Sequence, residues 1–134
     1  MLPLFISDIS LECINKAAET YHLPAKLLIA VVNVEQGKSG KVHKNKNGSV
    51  DLGEMQINSC QWPTLYQYRI TPQDVLYKPC VNLQVGAWML AKSMAHGSNL
   101  LEGVGNYHSH TLVYNHAYVK KVRERYTDLQ LGLH

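Results

Sequence analysis

The 134-residue chain has no run of about 18 apolar residues, so its sequence offers no membrane-spanning helix. Its three cysteines, Cys13, Cys60 and Cys80, stand far apart with no C-x-x-C pair, and zinc-ribbon and thioredoxin-type sites fail on spacing. One disulfide beside a free thiol would suit an oxidising compartment, and three thiols would suit the cytosol; composition leaves both open. No G-x-S-x-G elbow accompanies Ser109, so a Ser-His reading is unsupported, and Cys60 as a nucleophile is equally unsupported beside a packed thiol. The opening M-L-P-L-F-I is too short for a signal peptide and lacks its basic start. Residues 1–6 are therefore expected to be disordered or a signal remnant. Net charge is only +3, with a pI near 8.7, a mild excess that favours an anionic polymer without demanding one. Its two basic sets, Lys38, Lys41, Lys44 and Lys46, then Lys120, Lys121, Arg123 and Arg125, are not interleaved with aromatics in a nucleic-acid motif, and no nucleic acid partner is expected.

What is present centres on Val31 to Trp62, where the apolar end of a helix crosses a loop rich in Gly, Asn and Lys and re-enters through L-G-E-M-Q-I-N. Leu28, Val31, Val32 and Glu35 stand at i, i+3, i+4 and i+7, which puts the glutamate on the helix face that should be buried. Desolvation and the negative helix end before Gly37 both disfavour a carboxylate there, raising its pKa from about 4.3 toward roughly 6. An acid tuned that way can donate a proton near neutral pH. A Glu in a last helical turn is usually a solvated surface residue, so the company Glu35 keeps decides the matter. Asp51 and Glu54, in the second half of the same segment, are the next acids to consider. Gln56, Asn58 and Tyr107 are uncharged groups suited to holding sugar hydroxyls or orienting a carboxyl.

Around this segment the pattern predicts a mainly α, single domain of about six helices with a small β-hairpin or loop excursion, spanning 1–134. Ser7 or Asp8 caps a first helix with the stripe Ile9, Cys13, Ile14, Ala17, Ala18 and Tyr21, ending before Pro24. A second, central helix runs from Ala25 to about Gln36. Lys41–His43 and Ser49–Asp51 are expected to pair around the Asn47-Gly48 turn. Gly53 to Asn58 reads as a helical turn closed by Trp62-Pro63. Thr71-Pro72 opens a short helix that stops before Pro79, Asn82 caps a long one to Gly97, Ser98 opens another reaching Tyr107, and Thr111 opens the last, where Tyr114, Tyr118, Val122 and Tyr126 recur every four residues.

Two metal readings fail. Asn45, Asn47, Gly48, Asp51 and Glu54 mimic positions of a calcium loop, but its first position is His43, and Lys44 and Lys46 add positive charge. His108, His110 and His116 match no metal motif, with no carboxylate close by. No metal and no cofactor are expected.

The series helix-E-x-G, N-x-N-G-S-x-D-L-G-x-M-Q-I-N-S, P-C-x-N-x-x-x-G-A-W-x-L and G-N-Y-H-S, followed by the tyrosine-spaced helix, resembles the soluble lytic transglycosylase family over about residues 10 to 126. It is similar above all to the small specialised members encoded with conjugation and type III or type IV secretion machinery. The resemblance implies that Glu35 is the catalytic acid and then base, and that Gly53, Glu54, Met55 and Gln56 stand on the G-x-M-Q motif lining a glycan groove, extended by Ile57 and Asn58. It implies that Tyr107 hydrogen-bonds and orients Glu35, and that Cys13 and Cys80 form a disulfide, leaving Cys60 free, in a periplasmic or extracytoplasmic monomer whose single domain is lysozyme-like. Peptidoglycan would be the substrate, cut between N-acetylmuramic acid and N-acetylglucosamine with closure of a 1,6-anhydro ring, and parts of an envelope-spanning machine would be partners. Gln36, where the family often has Ser, and Glu54, where an apolar residue is common, depart from the pattern. A hydrolytic muramidase using Glu54 or Asp51 to activate water is the alternative, and a non-catalytic glycan-binding assembly subunit comes next. A metal-dependent hydrolase built on His108 and His110 trails both.

Overall fold

The computed structural model describes residues 11–35, 37–96, 105, 107 and 112–130, with side chains at 112–115 and 129–130 left aside. The expectations on residues 1–10, Gln36, His108, Ser109, His110 and most of the 98–107 helix lie outside the described residues, although Gly105 and Tyr107 are helical. The described residues form six α-helices and one small sheet. The helices are α1 (Leu11–Tyr21), α2 (Ala25–Glu35), α3 (Trp62–Gln67), α4 (Pro72–Tyr77), α5 (Pro79–His96) and α6 (Leu112–Gln130). None is long and apolar enough to cross a membrane.

Apolar residues nearly all round α2 predict a helix surrounded by others, and Leu27 to Asn33 are all buried. The face carrying Tyr118, Val122 and Tyr126 on α6 packs against α2, while α1 packs on α2 and α5. Exposed Lys120, Lys121 and Arg123 form the outer face of α6, as the charge pattern requires. Cys13 and Cys80 form a disulfide that ties α1 to the first turn of α5, and Cys60 is free and exposed.

Between α2 and α3 the chain makes an antiparallel sheet of β1 (Val42–Lys44), β2 (Val50–Leu52) and β3 (Ile57–Asn58), in that spatial order. The hairpin forms one residue further along each arm than its sequence pattern suggests, pairing Val42 with Leu52, His43 with Asp51 and Lys44 with Val50. Gly48 at φ +88° makes the turn.

Two segments differ from their sequence reading. Gly53–Asn58 is not a helical turn: a tight turn leads into β3, with Ile57 pairing back to Leu52, because buried Leu52 and Ile57 gain more from sharing a sheet than from one turn of helix. Trp62-Pro63 opens α3 instead of closing an element, since proline suits a first helical turn. By the same rule Pro79, not Asn82, starts α5. Asn82 is fully buried in that helix, where its Nδ2 donates to the carbonyls of Leu52 (2.9 Å) and Val75 (3.0 Å) and its Oδ1 accepts from the Met55 amide (2.9 Å). The capping box expected at Thr71 is present, with reciprocal bonds between Thr71 and Asp74.

Candidate active site

Two glycine positions bring the end of α2 against the turn after β2. A Cβ on Gly37 would collide with the carbonyl oxygen of Gly53, and Gly53 itself has φ +74° with Asn82 Nδ2 filling the space a side chain would need. Only residues without a Cβ allow this approach. Gln56 follows at φ +51°, a left-handed conformation that costs of order 1 kcal/mol in a non-glycine residue. Its side chain donates to the Gly53 carbonyl (2.9 Å), which holds it across the turn.

The result is an open groove of about 980 Å³ with Glu35 in its wall. Alternation along and beside the strands decides the other lining residues: Lys41, His43 and Asn45 face the groove while Val42 and Lys44 do not, and Ser49, just before β2, and Asp51 on it face the groove while Leu52 enters the core. His43, Asp51 and Asn58 stand opposite one another across the three strands. Asp51 accepts from Asn58 (2.8 Å) and from Asn45 (3.2 Å), and both amides also donate to Ser49 Oγ. Of the calcium-like pattern, Asn45 and Asp51 bind each other here, while Glu54 is buried away from them. Past Gln61, Met89 and Tyr107 the groove adjoins a smaller cleft of about 270 Å³ that holds Lys92, whose ammonium lies 5.4 Å above the Trp88 ring.

Glu35 is partly buried at the C-terminal end of α2, and its pKa is raised to about 7. Burial is the largest cause. The hydrogen bond from Tyr118 lowers the value, the charge of Asp51 raises it, and Lys121 and Lys41 lower it. Tyr118, 3% exposed on α6, donates its hydroxyl to Glu35 Oε2 at 2.8 Å. Its own pKa lies well above the usual tyrosine value because of burial and the adjacent carboxyl, so it remains a donor. The site thus holds a carboxyl whose pKa is raised toward neutrality, in the wall of an open groove.

Among the residues anticipated from sequence, Glu35, Gln56, Asn58 and Tyr107 line the groove. Gly53, Glu54 and Met55 do not: all three are buried behind it, Glu54 at 2% exposure, and they shape the turn. A buried Glu54 is also poorly placed to activate water in the groove, which leaves Asp51 as the second carboxylate there. Tyr107 donates to the Met55 carbonyl at 3.0 Å, and the bond to Glu35 expected of it comes from Tyr118. The tyrosine spacing of α6 held the missed signal, since a tyrosine forced into the core needs an acceptor and Glu35 is the acid on the facing helix. His116 is exposed on α6 and does not line the groove.

A family model described as the Transglycosylase SLT domain matches residues 12–125. The chain is 32% identical over 124 residues to invasion protein IagB of Salmonella typhimurium (strain SL1344), covering 89% of this chain and 78% of that protein. It is 33% identical over 101 residues to protein IpgF of Shigella flexneri, covering 75% and 66%. A peptidoglycan-binding-like protein of Escherichia coli O157:H7 is 29% identical over 136 residues, covering 92% and 81%. With the acid, the turn and the tyrosine helix in one matched span, the chain belongs to the SLT transglycosylase family.

Proposed function

We propose that this protein is a peptidoglycan lytic transglycosylase that cuts the β-1,4 bond between N-acetylmuramic acid and N-acetylglucosamine outside the cytoplasm. The observation that carries this reading is Glu35, a carboxyl with a pKa of about 7 facing a polymer-sized groove. Protonated Glu35 gives its proton to the bridging oxygen as the bond from the muramic C1 breaks. The substrate's N-acetyl group steadies the cationic centre, so no enzyme nucleophile is needed. The ionised carboxylate then takes the proton of the muramic 6-hydroxyl, whose oxygen bonds to C1 and closes the 1,6-anhydro ring. No water is consumed, and the carboxyl returns to its starting state. A pKa near 7 serves both halves, since the group must be an effective acid first and base second. Tyr118 orients the carboxyl throughout, and Gln56, Asn58 and Tyr107 hold the sugars.

The Cys13–Cys80 disulfide supports an extracytoplasmic site of action. The relative named an invasion protein favours local opening of the wall for a secretion or conjugation apparatus as the biological use. A muramidase is the second reading, favoured by Asp51, which faces the groove and raises the Glu35 pKa. Digestion of peptidoglycan in H2-18O separates the two: a transglycosylase gives unlabelled products, and a muramidase gives reducing ends carrying one heavy oxygen.

A further inference from the structure

Asn82 has no exposed surface, and its side-chain hydrogen bonds to Leu52, Met55 and Val75 all leave α5. Two of them grip the turn after β2 from behind. Nδ2 holds the Leu52 carbonyl, in the peptide between Leu52 and Gly53, and Oδ1 holds the Met55 N–H, in the peptide between Glu54 and Met55. The peptides that alternate with these are used by groove side chains. The Gly53 carbonyl accepts from Gln56 Nε2 at 2.9 Å, and the Met55 carbonyl accepts from the Tyr107 hydroxyl at 3.0 Å. Gln56 and Tyr107 line the groove, and the Tyr107 ring lies 6.5 Å from that of Tyr118, the donor to Glu35. The same turn is pressed against the chain just after Glu35, where Gly37 admits the Gly53 carbonyl. Rotation of either peptide that Asn82 holds would therefore swing a carbonyl on which a groove side chain depends.

We propose that Asn82 is a positioning residue for the cleavage: it is buried behind the groove, and by holding the turn in one peptide orientation it sets Gln56 and Tyr107 where they hold the sugars beside Glu35. The inference rests on the reaction proposed above. Asn82→Asp keeps the size of the side chain and its acceptor, but it removes the two donated bonds and sets an oxygen against the Leu52 and Val75 carbonyls. A misplacement of about 1 Å in groups that orient a substrate costs up to about 100-fold in rate, and a loss of about tenfold in kcat is expected here.

The test is a mutant cycle on soluble glycan strands, with kcat counted as total bonds cleaved. It compares the parent, Asn82→Asp, the pair Gln56→Ala with Tyr107→Phe, and all three together, at a temperature where circular dichroism shows each folded. Ile14→Ala, a core truncation in α1, controls for lost stability alone. Asn82→Asp should lower kcat about tenfold in the parent but less than twofold on the paired background, where the side chains it acts through are gone. Ile14→Ala should keep the parent's kcat. If Asn82→Asp does not fold, Asn82→Ser takes its place in the same cycle. An undiminished loss on the paired background, no loss in the parent, or an equal loss from Ile14→Ala overturns the proposal. Additive losses with anhydro products refute the positioning role alone, and coupled losses with reducing-end products refute ring closure alone. A parent that cleaves nothing overturns both.

Discussion

Replacing Tyr118 by Phe removes one oxygen from the site and leaves the ring packed between α6 and α2. The hydroxyl donates to Glu35 Oε2 at 2.8 Å and favours the ionised carboxyl, so its loss must raise the Glu35 pKa above the present value of about 7. A hydrogen bond to a charged group is worth about 1.5–3 kcal/mol and one pKa unit about 1.4 kcal/mol, which sets an upper range of about one to two units. Glu35 borders the groove, and water there can replace part of the lost bond, so a rise of about one unit is expected. In a pH profile of kcat/KM on soluble glycan strands, the alkaline limb reports loss of the acid's proton, and it should move from near 7 to near 8. At pH 6, where most of the acid is protonated in both proteins, kcat should fall roughly tenfold because the carboxyl is less well oriented. An alkaline limb that stays in place or moves to lower pH would refute the role given to Tyr118.

The raised pKa also has a stability consequence. Glu35 binds its proton more tightly folded than at its ordinary value of 4.5, so its contribution to stability falls as pH rises through the window from 4.5 to about 7. At about 1.4 kcal/mol per unit the cost above that window is on the order of 3 kcal/mol, and Glu35→Gln should melt higher than the parent at pH 8 while differing little at pH 4. Thermal melts at the two pH values check this, and a variant stabilised more at pH 4 contradicts it. Gly53→Ala should lose about 2–4 kcal/mol in urea unfolding, since the residue has φ +74° and its Cβ would strike Asn82 Nδ2. Reducing Cys13–Cys80, which spans 67 residues of sequence, should cost about 4 kcal/mol by loop entropy, measured as the shift of the urea midpoint with and without reductant.

Local pattern carried the helical frame. The apolar run Leu27–Val32 placed α2 at the centre, and Thr71-Pro72 with Asp74 specified the start of α4, because capping and burial there depend on neighbours in sequence. The Glu35 environment was legible for the same reason, with three buried residues preceding it on one helical face. Gly53–Asn58 was misread because its geometry is set from 27 to 30 residues away, where Asn82 binds Met55 and Leu52. The partner of Glu35 was hidden by a larger separation, 83 residues, and both Tyr107 and Tyr118 have the right chemistry. The tyrosine spacing of α6 marks Tyr118 as a buried hydroxyl in need of an acceptor, but which hydroxyl reaches the acid is settled only by how α6 docks on α2. The Asp51 cluster was visible as residues but not as a network, since its members meet only when three strands align.

Whether Glu35 drives intramolecular ring closure on the glycan, as proposed, is decided by mass spectrometry of muropeptides released from purified peptidoglycan by the parent and by Glu35→Gln. The parent should release 1,6-anhydromuropeptides and the variant none; reducing-end products from the parent, or anhydro products that persist in the variant, would rule out ring closure driven by Glu35.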